Sequence, residues 1–300
     1  MDVSVIIVNY NTKQMTDDAI NSVYEHTSGI DFEIILVDNA SADGSKEFFE
    51  KKDGITYIYS QENLGFGKGN NLGLKYAKGR NILFLNSDTL LRNNAIKILS
   101  DYMDANPDVG VCGGNLYDYE GKAATSFERK RPGIIRESNS LLNGKLYKLM
   151  YGKNTRFNNT TQPLSVGYIS GADLMTRKEI LQKVGSFSPE FFMYYEETEL
   201  CDRIAKAGYK IVSVPNAEIV HLEGKSMKTT GFSTFNERKC QWMYESLNIY
   251  MNKCLSKIEK RFVLFLLKLK INKDILVCKI KNKHKLEEFK IRKKIIKQIK

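Results

Sequence analysis

Residues 81–91 read Asn-Ile-Leu-Phe-Leu-Asn-Ser-Asp-Thr-Leu-Leu, and the unbroken apolar run 82–85, closed by Asn86 and Asp88, decides the fold class. A fully apolar run of strand length suits a strand covered on both faces, as in a parallel sheet. Polar residues at its carboxyl end fall where open α/β sheets bind ligands. Runs of the same kind occupy 3–8, 32–37 and 55–59, and helical patterns at 15–26, 45–51, 70–78 and 95–105 separate or follow them. This alternation predicts a doubly wound, mostly parallel α/β sheet with helices on both faces. Asn93 and Asn94 are placed to cap the helix at 95, and Asn106-Pro107 ends it, because proline disfavours helical geometry in the residue before it.

Past Asp108 the pattern loosens. A strand is expected at 109–119, a Gly- and Asn-rich stretch covers 143–163, and a second strand is expected at 164–175. A helix at 196–207 ends at Gly208, with strands at 210–214 and 218–221 after it. The expected organisation is one domain over 1–230 and an extension over 231–300.

The net charge of +11 is unevenly spread: residues 256–300 hold sixteen Lys and Arg against four Asp and Glu, leaving the remainder at −1. A nearly neutral body with a basic tail disfavours nucleic acid as the partner, since a fold that grips a phosphate backbone carries its charge on the folded domain. In the tail, Ile258, Phe262, Phe265, Leu266 and Leu269 fall at helical spacing among lysines, and Leu286, Phe289, Ile296 and Ile299 repeat the theme. A basic amphipathic helical extension of this kind is suited to an anionic membrane surface, the competing reading being a solvated or oligomer-forming appendage, such as one that supports a homodimer. The apolar stretch 262–267 is too short to span a bilayer. Five cysteines without a C-x-x-C pair suggest neither a disulfide framework nor a zinc site, and no export signal is visible. The placement expected from these features is cytoplasmic and peripheral, at the inner face of the cell membrane.

Asp38 and Asp88 both follow buried-type strands at their carboxyl ends. One such Asp alone is more often a turn residue; two at equivalent edges favour a ligand site. Asn86 and Asp88, two residues apart on an extended segment, can reach one hard divalent cation, Mg²⁺ or Mn²⁺. His221 ends another expected strand, although a lone histidine usually packs or caps. The run 63–73, Asn-Leu-Gly-Phe-Gly-Lys-Gly-Asn-Asn-Leu-Gly, offers backbone amides and Lys68 to a phosphate or ribose, yet it matches neither the P-loop nor the dinucleotide fingerprint. Glu196, Glu197 and Glu199 open the helix at 196, where the helix dipole favours carboxylates for purely structural reasons. The apolar run 191–195 just before them can desolvate a carboxyl and poise it as a general base.

In this order the segments VSVIIVNYNT (3–12), ILVDNASADGS (35–45), ENLGFGKGNNLGL (62–74), ILFLNSDTLL (82–91), SGADLMTRKEIL (170–181), FFMYYEETELCDRIAKAGY (191–209) and HLEGKS (221–226) resemble the inverting family 2 glycosyltransferases of the GT-A fold, in particular the bacterial rhamnosyltransferase-like branch. The resemblance implies a nucleotide-sugar donor, dTDP-rhamnose being the branch-level expectation, and a glycan or lipid-linked acceptor in cell-surface polysaccharide synthesis. It implies that Tyr10 and Asp38 contact nucleobase and ribose, that Asn70 and Asn86 line the donor pocket, and that Asp88 and His221 hold a divalent cation or the diphosphate. It places Glu197 where the family usually has an aspartate base, and Asn86 where an Asp-x-Asp motif has its first acid. Arg203, one turn beyond Glu199, is expected to pair with it in a supporting role. The competing expectations are a non-catalytic protein of the same fold that binds membrane or RNA through its tail, and a sugar nucleotidylyltransferase, whose glycine-rich loop should follow the first strand.

Overall fold

The computed structural model describes residues 1–222, 236–281 and 285–299. Parallel strands β1 (Val3–Asn9), β2 (Phe32–Asp38), β3 (Ile55–Tyr59) and β4 (Asn81–Asn86) form one half of the main sheet, in the order β3-β2-β1-β4, with the short helix α2 (Ser45–Phe49) between β2 and β3. Beyond β4 come β10 (Asp173–Arg177), β6 (Val109–Tyr117), β11 (Lys210–His221) and β5 (Thr89–Leu91), with β8 (Leu164–Ser165) also paired to β11. β10 runs antiparallel to both β4 and β6, so β6 points the same way as β4, and β11 is parallel to β6. All these parallel strands therefore bring their carboxyl ends to one rim: Asn9, Asp38, Asn86 and His221 lie there, and the antiparallel β10 starts there at Asp173.

Alternating side chains serve two cores, as strand geometry requires. Val5, Ile7, Leu83 and Leu85 point to one face, where they meet α1 (Lys13–His26) through Ile20 and Val23 and α4 (Ala95–Ala105) through Ile96, Leu99 and Met103. Ile6, Ile35, Ile82 and Phe84 point to the other, against α7 (Lys178–Val184) through Ile180 and α8 (Glu196–Lys206) through Leu200 and Ile204. Helices on both faces of a mostly parallel sheet match the sequence expectation.

Several elements depart from it. The 63–73 run is largely the helix α3 (Gly65–Leu74), which starts earlier than expected. Its glycines let it lie close on the sheet: a Cβ on Gly73 would press on Ile6 and Val37, and one on Gly69 on Val8. The single strand expected at 164–175 is three short ones, β8, β9 (Tyr168–Ile169) and β10, separated at Gly167 and Gly171. β9 pairs with β7 (Phe127–Glu128) outside the main sheet. The two strands expected at 210–214 and 218–221 form one strand whose register shifts between Ser213 and Glu218. The 143–163 stretch is not irregular throughout: it contains α6 (Lys145–Tyr151), preceded by α5 (Ile134–Leu141).

The expected domain boundary near residue 230 lies outside the described residues. After it, α9 (Glu237–Cys254), α10 (Lys257–Lys281) and α11 (Leu286–Gln298) share a small core of Tyr244, Leu247, Met251, Val263, Ile271 and Ile296. This helical unit sits on the body. Ser246 Oγ donates to Met193 O at 2.8 Å, Trp242 packs on Phe192, and Tyr250 lies beside Tyr195. No helix among the described residues is long and apolar enough to cross a membrane.

Candidate functional site

The rim carries a polar cluster assembled from four strand ends. Asn9 is fully buried, and its Oδ1 accepts from the Thr12 amide and from the hydroxyls of Thr12 and Thr16 at 2.8–3.2 Å, while its Nδ2 donates to Ser41. These bonds order the turn that presents Tyr10, which is 49% exposed. Beside Asn9, Asp38 is buried, taking the Ser41 amide at 2.9 Å on Oδ1 and the Tyr57 hydroxyl at 3.0 Å on Oδ2. Burial, together with the charge and hydrogen bond of Asp38, holds the Tyr57 phenol far above its ordinary pKa.

Asn86 and Asp88 follow β4, and here the chain turns back through β5. Because β5 pairs antiparallel with the end of β11, Thr89 lies opposite His221, and the Leu222 amide donates to Asp88 O at 2.8 Å. His221 Nε2 stands 3.3 Å from Asp88 Oδ1 and 3.4 Å from Asn86 Nδ2. Three of the sequence-selected residues thus form one group, although His221 is 135 positions from Asn86. A carboxylate, an imidazole nitrogen and an amide form a donor set that suits Mg²⁺ or Mn²⁺ when phosphate oxygens complete the shell. Protein side chains alone do not enclose an ion: among the described residues no three His, Cys, Asp or Glu cluster around one point. Residues 223–226 of the last motif fall outside the described residues.

The carboxylate cluster approaches this rim through a neighbouring loop. Tyr194 and Tyr195 both adopt left-handed backbone, φ +73° and +67°, an uncommon conformation for bulky residues that concentrates strain just before α8. A Cβ placed on Gly67 of α3 would lie 3.6 Å from Glu196 Cβ, and one on Gly171 would lie 3.7 Å from Glu197 Cγ. The neighbouring residue, Ala172, accepts the Asn86 amide on its carbonyl at 3.0 Å. The 170–172 segment therefore joins Glu197 to the Asn86–Asp88–His221 group.

The two glutamates differ electrically. Glu196 is buried with Oε2 unpartnered among the described residues, and desolvation, reinforced by the Glu197 charge, pushes its carboxyl up to about 8. Desolvation also raises Glu197, opposed by the Thr198 hydroxyl, which donates to its Oε1 at 2.9 Å, and by the Arg136 charge. Burial favours the protonated form of both, and Glu197, whose carboxylate is steadied by Thr198 and Arg136, is the member placed to accept a proton.

The remaining selected residues lie on α8 and α3. Glu199 forms a two-point ion pair with Arg203 at 2.7 and 2.8 Å, and Arg203 also donates to the carbonyls of Val184, Gly185 and Ser186. That pair fastens α8 to the end of α7. Asn70 is buried and donates to Phe66 O within its own helix at 3.0 Å, and Lys68 is exposed on α3. Sequence reasoning passed over Asn9, Gly171, Asp173 and Arg136. Asp173 is fully buried at the rim, bonded to the Gly114 amide, and burial lifts its carboxyl well above the ordinary range. The polar end of the apolar run 3–8 was the available signal for Asn9; nothing local distinguishes Arg136.

A family model described as Glycosyl transferase family 2 matches residues 4–185. The low-salt glycan biosynthesis hexosyltransferase Agl10 of Haloferax volcanii is 26% identical over 226 residues, covering 73% of this chain and 67% of its own. The N-acetylglucosaminyl-diphospho-decaprenol L-rhamnosyltransferase of Mycobacterium tuberculosis is 27% identical over 209 residues, covering 64% of this chain and 67% of its own. Among solved structures, the mannosyltransferase PcManGT from Pyrobaculum calidifontis, in complex with GDP-Man and Mn²⁺, superposes with a TM-score of 0.59 at 15% identity, over 98% of this chain and 84% of its own. With the family model matching more than half of its length and its fold shared with that structure, the chain belongs to glycosyl transferase family 2 and is a rhamnosyltransferase-like glycosyltransferase of the GT-A fold.

Proposed function

We propose that the chain transfers a sugar from a nucleoside diphosphate donor, with dTDP-rhamnose the first candidate, to a hydroxyl of a glycan or lipid-linked acceptor, with inversion at the anomeric carbon. The observation that carries this reading is the meeting of Asn86, Asp88 and His221 on the rim that Glu197 approaches through Gly171. Asp38, Tyr10 and the turn ordered by Asn9 would receive the nucleoside, and the rim group the diphosphate. Asp88, His221 and Asn86 would hold a divalent cation, which when bound neutralises charge on the leaving diphosphate. Glu197 takes the proton of the acceptor hydroxyl as that oxygen bonds to the anomeric carbon, and the bond from that carbon to the diphosphate oxygen breaks with its electron pair on the diphosphate.

The tail supports placement at a membrane surface. α10 has two apolar faces: Val263, Ile271 and Cys278 are buried, whereas Ile258, Phe262, Phe265, Leu269, Leu276 and Ile280 form an exposed stripe among lysines. An exposed apolar stripe flanked by basic residues fits insertion at an anionic lipid interface, where each lysine near the surface contributes about 1 kcal/mol. A lipid-linked acceptor would then be at hand.

Incubation of the chain with a panel of dTDP-, UDP- and GDP-sugars, Mg²⁺ or Mn²⁺, and lipid-linked glycan extract tests the reading. Release of nucleoside diphosphate together with a product of inverted anomeric configuration is expected. A product of retained configuration would rule out the single displacement.

A further inference from the structure

Away from the rim, β7, α5, α6 and residues 155–156 enclose with α10 a cavity of about 430 Å³, a volume in the range of small-molecule sites. Its lining is mainly polar and includes Glu128, Arg136, Glu137, Tyr147, Arg156 and Lys270. Two buried groups there lack a hydrogen-bond partner among the described residues. Glu128, 6% exposed, pairs Oε1 with Arg156 Nε at 2.8 Å but leaves Oε2 without a donor, and Tyr147, 2% exposed, leaves its hydroxyl unbonded. Buried polar groups are nearly always satisfied, so such a pair in a cavity wall marks the place of a ligand.

The chemistry of the wall selects the ligand. An open carboxylate oxygen needs a donor, which an ionised phosphate does not offer, and the cations of the wall are already paired, Arg156 with Glu128, Arg136 with Glu137 and Lys270 with Asp274. A sugar ring meets both needs, because each hydroxyl donates to one neighbour and accepts from another. Arg136 connects the cavity wall to the loop that carries the base. Arg136 donates to Glu137 Oε1 at 3.0 Å on the cavity side, and its guanidinium lies 5.9 Å from the centre of the Tyr195 ring, two residues before Glu197. Its charge acts on the Glu197 carboxyl.

We propose that this cavity binds a sugar ring of the acceptor, with Glu128 and Tyr147 engaging its hydroxyls and Arg136 standing between the ring and Glu197. The assignment rests on the glycosyltransfer reading above and names where its acceptor sits. Tyr147→Phe in the full chain removes only a hydroxyl that bonds to no protein group among the described residues, so folding should be retained; Glu128→Gln is the second variant. Saturation-transfer NMR with the methyl glycosides of glucose, galactose, N-acetylglucosamine and rhamnose reads the cavity, with inorganic pyrophosphate as the anionic probe. The thermal shift produced by UDP or dTDP reads the rim independently. At least one glycoside should bind the wild type and lose about fivefold in affinity in each variant, the ordinary worth of one hydrogen bond, while the nucleotide shift persists. Equal affinity in wild type and both variants overturns the proposal, as does a wild type that binds no glycoside. Binding of pyrophosphate in place of every glycoside overturns it in favour of the phosphate of a lipid-linked acceptor. A wild type that fails to respond to any nucleotide strikes the glycosyltransfer reading itself, and this proposal with it.

Discussion

Replacing Glu197 by Gln separates proton acceptance from every other role of that side chain. The amide keeps the size of the carboxyl and can still accept the Thr198 hydroxyl that donates to Oε1 at 2.9 Å, so the start of α8 should be undisturbed. It also takes a charge out of a desolvated position, since burial is the main cause of the raised Glu197 pKa. The variant should therefore melt no lower than the wild type above neutral pH. Loss of general-base assistance is worth about 10²- to 10⁴-fold, or roughly 3–5 kcal/mol of barrier. Single-turnover release of nucleoside diphosphate at saturating donor should fall by that factor, with the donor KM within about twofold, because no donor contact is removed. The wild-type rate should also fall on acidification at a pH above the ordinary carboxylate value of 4.5, because the active form is deprotonated and its pKa is raised; the variant should lack that limb. A Glu197→Gln enzyme within about threefold of wild type, or a Glu196→Gln enzyme with the larger defect, would refute the assignment of the base, since the loss of base assistance is far larger than that.

Four further outcomes follow from the same geometry. For Glu196, the folded pKa of about 8 exceeds the ordinary 4.5, so the native state holds the extra proton between those values; its contribution is intact below pH 4.5 and is lost as pH rises through 8. Glu196→Gln should remove that slope, worth at most about 5 kcal/mol, so that the melting advantage of the variant grows from about pH 4.5 to about pH 8 and levels off above it. Asp88→Asn or His221→Ala should weaken Mg²⁺-dependent binding of the nucleoside diphosphate by about tenfold in calorimetry, with little change in metal-free binding. Gly65→Ala forces a side chain onto left-handed backbone, φ +77°, and drives its Cβ into the Phe192 carbonyl, so chemical denaturation should show a loss of about 3 kcal/mol. Phe262→Ser with Phe265→Ser alters residues already 53% and 57% exposed, so the melting temperature should hold while co-sedimentation with anionic vesicles falls, each ring contributing about 1.5 kcal/mol or more when inserted.

What the sequence discloses and what it hides divide along one physical line. The strands at 3–9, 32–38 and 81–86 are legible because double-sided burial demands mainly apolar runs, and the polar residue ending each of them marks the rim, whereas 55–59 is a half-buried edge strand. Glycine accounts for two of the departures. In 65–73 its poor helix propensity suggests a loop laid against phosphate; the helix forms because only a bare backbone can approach Ile6 and Val8 so closely. At Gly167 and Gly171 it divides one expected strand into three.

The rim group shows why pairwise convergence is harder to read than local structure. Nothing near Asp88 announces His221. Their meeting depends on β5 reversing after three residues and on the register shift that carries β11 over to pair with it. Glu197 reaches the same rim by a third route, through two left-handed tyrosines and a glycine at 171 that has no side chain to stand between Phe66 and the carboxyl. Each link is a backbone conformation that the hydrophobic pattern does not encode, and each falls next to a residue with proposed chemistry. Strain and bare backbone gathered beside ionisable groups are expected where geometry has been fixed for reaction rather than for stability. That concentration beside Glu197, rather than the carboxylates alone, separates this helix start from an ordinary acidic N-terminus favoured by the helix dipole.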